Sequence, residues 1–141
     1  MAVSDSMSVT VNAPVADVLA FLRDIGNQKN WFPGNLESDV LETDADGMVV
    51  KARLTNDVKV AKDTFEVNYQ HNDSGFAWSL AAPTKIQKDN SGSWSLVDKG
   101  GKTEATMSLT IDTTLPLPGF VQKKTLKDTL KATTKALAGQ F

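Results

Sequence analysis

From Leu36 to Leu115 the chain alternates apolar and polar residues in short runs cut by turn-forming clusters, and this alternation constrains the fold more than any other feature. A period of two sends successive side chains to opposite faces of a strand, so one face is apolar and the other wet. The expected inner face collects Val50, Ala52 and Leu54, then Phe65, Val67 and Tyr69, then Phe76, Trp78 and Leu80. Trp94 and Leu96, followed by Ala105, Met107, Leu109 and Ile111, complete it, while Ser, Thr, Lys and Glu dominate the opposite face. Turn clusters at Asp44–Gly47, Asn56-Asp57, His71–Gly75, Asp89–Gly92 and Asp98–Lys102 are closely spaced, which predicts antiparallel meander pairing. Between Val58/Val60 and Phe65/Val67 the alternation changes parity across Ala61–Thr64, predicting a β-bulge that bends the strand.

The flanks carry different signals. Ser6 to Val11 alternates like a first strand. Pro14 then stands at a plausible first helical position, Asp17 falls in the first turn, and Val15, Val18, Leu19, Leu22 and Ile25 recur at helical spacing. Gly26-Asn27 breaks that helix, and Asn27 caps a second brief turn carrying Trp31 and Phe32 up to Pro33-Gly34. After Leu115–Gly119, residues Phe120 to Gln140 place Leu126, Leu130, Thr133, Leu137 and finally Phe141 on one helical stripe. The prediction is an α+β fold in which a curved antiparallel sheet of about seven strands grips a long C-terminal helix, with two short helices after the first strand. A helix of about 20 residues spans ~30 Å and is long enough to cross a concave sheet. With 141 residues, one domain over residues 1–141 accounts for the whole pattern.

Composition narrows the function. The chain has no cysteine, which removes disulfides, thiolate metal sites and a Cys nucleophile. Its 15 basic and 17 acidic side chains leave a formal charge of −2, so no global field favours nucleic acid. The first residues lack a basic segment followed by an apolar block, and no stretch approaches the ~20 apolar residues of a membrane span. The expected location is therefore the cytoplasm, without an integral membrane segment. Lys124, Lys127, Lys131 and Lys135 share the outer arc of the last helix; they form either a solvated face or a site of transient contact with an anionic membrane.

Catalytic patterns are sparse. The only histidine, His71, falls in the predicted turn His71–Gly75 and is expected to be solvated there. Asp44 and Asp46 share a hairpin turn without the pattern of a calcium loop, and no metal site is expected. Gly100-Gly101 reads as a hairpin tip and no phosphate-cradling motif occurs, so no cofactor is expected. Parity leaves only Tyr69, Thr113 and Thr133 as inward polar candidates, with Lys51, Arg53 and Glu66 outward. No catalytic residue is assigned.

The order of elements, with Val11–Asp24 containing Asn12-Ala13-Pro14, then Trp31-Phe32-Pro33, then Pro116–Gly119 leading to Leu126, Leu130 and Leu137, resembles the START-like or SRPBCC superfamily. That superfamily includes bacterial polyketide cyclase and dehydrase-like proteins, lipid-transfer domains and the birch-pollen-allergen class. The resemblance implies a helix-grip fold with a cavity between sheet and final helix, used for a lipid, isoprenoid, polyketide or other small hydrophobic molecule. Plant members carry a glycine-rich loop where this chain has only Asp44–Gly47, so ligand modes relying on that loop are not implied.

On that basis Phe65, Tyr69, Phe76, Trp78 and Trp94 either fill the core or line a cavity, with Met107, Leu126 and Leu130 as its further walls. Trp31 and Phe32 either guard its rim or plug the sheet edge. The expected function is binding or carriage of a hydrophobic ligand. The alternatives are a polyketide cyclase or dehydratase with Tyr69 as its acid, and a protein-interaction or toxin-like regulatory module whose protein partner is unknown.

Overall fold

The computed structural model describes residues 2–57 and 61–141. Strand β1 (Val3–Val11) is followed by helix α1 (Val15–Arg23) and a 3₁₀ turn (Ile25–Asn30). Six strands follow: β2 (Asn35–Thr43), β3 (Val49–Asp57), β4 (Lys62–Asn72), β5 (Gly75–Leu80), β6 (Gln87–Asp98) and β7 (Thr103–Thr113). Helix α2 (Gly119–Ala138) closes the fold. The strands form one antiparallel seven-stranded sheet in the order β1-β7-β6-β5-β4-β3-β2. From β2 to β7 each strand pairs with the next in sequence, and β1 closes the far edge by pairing with β7 from Val3↔Ile111 to Val11↔Thr103.

The period-two pattern decides the faces. Ala52, Leu54, Phe65, Val67, Tyr69, Phe76, Trp94, Leu96, Ala105, Met107 and Leu109 are all buried in one core. The opposite face carries ladders of polar pairs directly across the strands. Ser4 and Thr110 hydroxyls meet at 2.8 Å and Ser8 and Thr106 at 2.7 Å, while Glu66 pairs with Arg53 directly opposite and with Lys51 on the diagonal.

Helix α1 turns Val18, Leu19 and Leu22 inward, with Pro14 just before its first residue. Helix α2 buries Leu126, Leu130, Thr133, Thr134 and Leu137. The buried threonines satisfy their hydroxyls on the helix itself, Thr133 donating to Thr129 O at 2.7 Å and Thr134 to Leu130 O at 2.8 Å, so they enter the core without an unmet polar group. The lysines of the outer arc are exposed. Among the described residues no helix is long and apolar enough to cross a membrane.

Two sequence expectations about turns change, and a third lies partly outside the described residues. Asp89–Gly92 is not a turn: β6 runs unbroken in pairing from Asn90↔Ile111 to Asp98↔Thr103, and the reversal lies instead at residues 81–86. Asn, Ser and Gly favour turns locally, but here β7 supplies ladder partners along the segment, joined by β5 at Gly92, and overrides that preference. Asn56-Asp57 likewise ends β3 in regular pairing with β4, Asn56 opposite Asp63 and Asp57 opposite Lys62. The expected bulge across Ala61–Thr64 rested on Val58 and Val60, which lie outside the described residues; from Lys62 onward β4 pairs with β3 in unbroken register. The register shifts that are present lie in β2–β3 and at Gln87/Asp89.

Candidate functional site

Helix α2 packs on β1 and β7, at one side of the sheet, and α1 approaches β6. The helices make their main contacts elsewhere than on β4 and β5, and the space over the concave surface of those strands is hollow. Two adjoining cavities fill it. The inner one, of about 110 Å³, is floored by Leu54, Phe65, Tyr69, Phe76, Trp78 and Trp94. The outer one, of about 280 Å³, is bounded by Val3, Pro33, Ile86, Leu115, Leu117 and Leu126 among others. Phe32, Asn56, Asn90, Leu109, Ile111 and Thr129 border both and form the neck between them. Drug-sized ligands occupy pockets of roughly 300 Å³ upward, and the outer cavity alone nearly reaches that size.

The aromatic floor is a connected set. Tyr69 packs on Phe76 with ring centroids 6.0 Å apart, and Phe76 on Trp78 at 6.1 Å, both tilted. The Trp78 indole needs Gly92 opposite it: a Cβ there would lie 2.5 Å from Trp78 Cζ2 and 2.6 Å from the Ser108 carbonyl oxygen. Burial pushes the Tyr69 phenol well above its ordinary range, because the phenolate would lose its hydration in this apolar floor. Tyr69 thus stays protonated at neutral pH.

Polar order enters from one side. Thr84 Oγ1 accepts the backbone N–H groups of Ile86 and Gln87 at 3.1 and 3.0 Å. Its own hydrogen goes to Asp63 Oδ2 at 2.9 Å. The same oxygen accepts Gln87 Nε2 at 2.7 Å, and Gln87 Oε1 in turn accepts Asn90 Nδ2 at 2.8 Å. Asp63 is 7% exposed and shares the inward parity of Phe65. The chain of bonds pins the β5–β6 connection to β4 and ends at the neck.

Of the residues singled out from sequence, Phe32, Phe65, Tyr69, Phe76, Trp78, Trp94 and Leu126 border one or both cavities. Met107 and Leu130 are fully buried and border neither, and Trp31 packs away from both, against Phe21 at 5.2 Å and Phe32 at 5.4 Å. Phe141 extends that outer cluster, edge-on to Phe21 at 5.4 Å. Among the inward polar candidates, Thr113 borders the outer cavity, but its hydroxyl is already committed to Ile86 O at 2.9 Å. The expectation of only three inward polar groups is overturned by Asp63, Gln87, Asn56 and Asn90. Asn56 and Asn90 are not readily legible as inward residues because both stand in clusters whose residue types favour turns. Their signal was present: Asn90 and Gly92 continue the parity of Trp94 and Leu96 backwards.

His71 also departs from expectation. It lies in β4 rather than in a solvated turn, half-buried, with Nε2 2.7 Å from the Val49 carbonyl oxygen. That bond requires the proton on Nε2. The ring stacks with Tyr69 at 6.4 Å and borders neither cavity. A separate depression at the end of α1, beside Arg23, Gly47 and Val49, lies outside the space between sheet and α2.

Residues 3–141 match the family described as polyketide cyclase / dehydrase and lipid transport. No curated protein matches the chain in sequence. Among solved structures, a START superfamily protein from Mycobacterium smegmatis is similar over 97% of this chain and 95% of its own, at 22% identity and a TM-score of 0.90. The Zhui aromatase/cyclase from Streptomyces sp. R1128 is similar over 99% of this chain and 93% of its own, at 18% identity and a TM-score of 0.81. A STAR-related lipid transfer protein from Xanthomonas axonopodis covers 97% of this chain with 84% of its own, at 18% identity and a TM-score of 0.72. At these identities the structural likeness establishes the fold. The chain belongs to the polyketide cyclase/dehydrase and lipid transport family and has its helix-grip fold.

Proposed function

We propose that this member of the polyketide cyclase/dehydrase and lipid transport family binds and carries a small hydrophobic molecule, acting as one domain over residues 1–141. The observation that carries the proposal is the pair of adjoining cavities between the concave sheet and α2, with an aromatic floor and a largely aliphatic outer wall. Filling such space with apolar surface stabilises a complex by roughly 25 cal/mol per Å² removed from water. Large rigid rings add contact area at little entropic cost.

Wall chemistry favours carriage over catalysis. Cyclisation or dehydration calls for an acid and a base aimed at the reacting carbons, with proton affinities near the working pH. Among the described residues bordering the cavities, the ionisable side chains are Tyr69 and Asp57. Burial pushes the Tyr69 phenol upward and makes it a weak acid.

Native mass spectrometry against a panel of fatty acids, fatty alcohols, isoprenoids and aromatic polyketide-like compounds tests the proposal. Retained noncovalent adducts are expected. Bare mass alone, with no uptake from any class, refutes it.

A further inference from the structure

We infer that the neck between the two cavities reads one polar group on the ligand, and that this group must donate a hydrogen bond: the site is built for a neutral hydroxyl-bearing hydrophobe, with Asn90 Oδ1 as the acceptor. The inference rests on the ligand-binding reading and adds the ligand's class to it.

The direction of every amide follows from fixed donors. Thr84 Oγ1 already accepts two backbone N–H groups, so its hydrogen is committed to Asp63 Oδ2. Asp63 Oδ2 accepts that hydrogen and acts as an acceptor towards Gln87 as well, so Gln87 turns Nε2 towards Asp63 and Oε1 towards Asn90. Asn90 must then turn Nδ2 to Gln87. The end not engaged by Gln87 is the carbonyl oxygen Oδ1, on a half-buried side chain that borders both cavities.

Asn56, across the neck, is set the opposite way. Asn35 Nδ2 faces the carbonyl oxygens of Glu37 at 3.1 Å and Thr55 at 3.4 Å, and it also donates to Asn56 Oδ1 at 2.8 Å. The amide nitrogen of Asn56 is therefore the end not engaged by Asn35. One acceptor and one donor stand at the same constriction. A hydroxyl or phenol satisfies both, since it donates and accepts. A carboxylate meets the Asn90 oxygen with like polarity, and no Lys or Arg stands among the described residues of either wall to offset its desolvation.

Calorimetric titration of the intact protein at neutral pH with β-naphthol, β-methoxynaphthalene, naphthalene and β-naphthoate separates the possibilities. β-Naphthol is expected to bind about fivefold tighter than β-methoxynaphthalene, the ratio set by one net neutral hydrogen bond. β-Naphthoate is expected to bind weakest. Asn90→Leu should abolish the preference, bringing the ratio of β-naphthol to β-methoxynaphthalene affinity from about fivefold to about one, whatever its effect on the two affinities themselves. Equal affinity of β-naphthol and β-methoxynaphthalene in the unaltered protein, or tightest binding of β-naphthoate, overturns the inference while ligand binding stands. Failure of all four probes, naphthalene included, overturns the inference, while the ligand-binding reading itself falls only if the mass-spectrometric panel also shows no uptake. The comparison among ligands needs no substitution, so a poorly folded variant does not spoil it.

Discussion

The Trp78 indole lies directly over Gly92 of the neighbouring strand, where an added Cβ would sit 2.5 Å from its Cζ2 atom. Absence of a side chain at one position thus sets the height of the aromatic floor at another, and with it the depth of the inner cavity. Gly92→Ala pushes the indole towards the cavity and also meets the Ser108 carbonyl oxygen at 2.6 Å, which cannot give as a side chain does. The expected outcome is a loss of about 1–3 kcal/mol in denaturant unfolding, together with weaker uptake of any bound hydrophobe. Unchanged stability and binding would show that the strand pair simply spreads.

Tyr69 is the single tyrosine of the chain, so phenolate absorbance reports it alone. Its folded pKa is raised by burial above the ordinary value of 10.0. The neutral phenol is thus the form the fold favours. The stability it contributes is fully present below the unfolded pKa of about 10 and is lost as pH rises from there through the folded pKa. The native protein should show no phenolate signal where the urea-unfolded chain already titrates, and Tyr69→Phe should flatten the alkaline fall in stability. Titration of the native protein at the unfolded value would contradict the burial.

Tryptophan emission divides along the cavity wall. Trp78 and Trp94 border the inner cavity, whereas Trp31 packs on Phe21 and Phe32 away from it. Uptake of a fatty alcohol should alter the emission of Trp31→Phe protein as fully as that of the original. In Trp78→Phe/Trp94→Phe protein the change should vanish. A change carried by Trp31 would place the ligand elsewhere.

Asp63→Ala removes the shared acceptor of Thr84 and Gln87. Leaving buried donors unmet costs about 1–3 kcal/mol, and the β5–β6 connection should become the first segment to lose protection in hydrogen exchange. Thr84→Ala leaves the backbone N–H groups of Ile86 and Gln87 without their acceptor while Asp63 keeps Gln87 Nε2, and should loosen the same connection. Equal and negligible effects of both would mean that the network does not hold the connection.

Much of the fold was legible because it depends on local periodicity. The alternation from Val50 to Ile111 and the stripe from Leu126 to Leu137 name the faces that must be covered, whatever covers them. The same reasoning failed where polar residues lie on the inner face. Asn56, Asp63 and Asn90 continue the parity of Leu54, Phe65 and Trp94, yet their residue types favour turns, and only cross-strand partners distant in sequence hold them in the sheet. His71 was misplaced for the same reason: its anchor, the Val49 carbonyl, lies on another strand.

The order of strands and helices, the two-faced sheet and its aromatic inner surface were therefore determined by the amino-acid sequence alone, since burial of an apolar face follows from spacing that neighbours along the chain define. Tertiary structure decided the rest. It set α2 on β1 and β7 and left β4 and β5 hollow, so that Phe65, Tyr69, Phe76 and Trp78 border a cavity while Met107 and Leu130 are sealed in the core. It also fixed which end of Asn90 points free, because that choice passes from Thr84 through Asp63 and Gln87, groups whose mutual orientation exists only once distant strands have met.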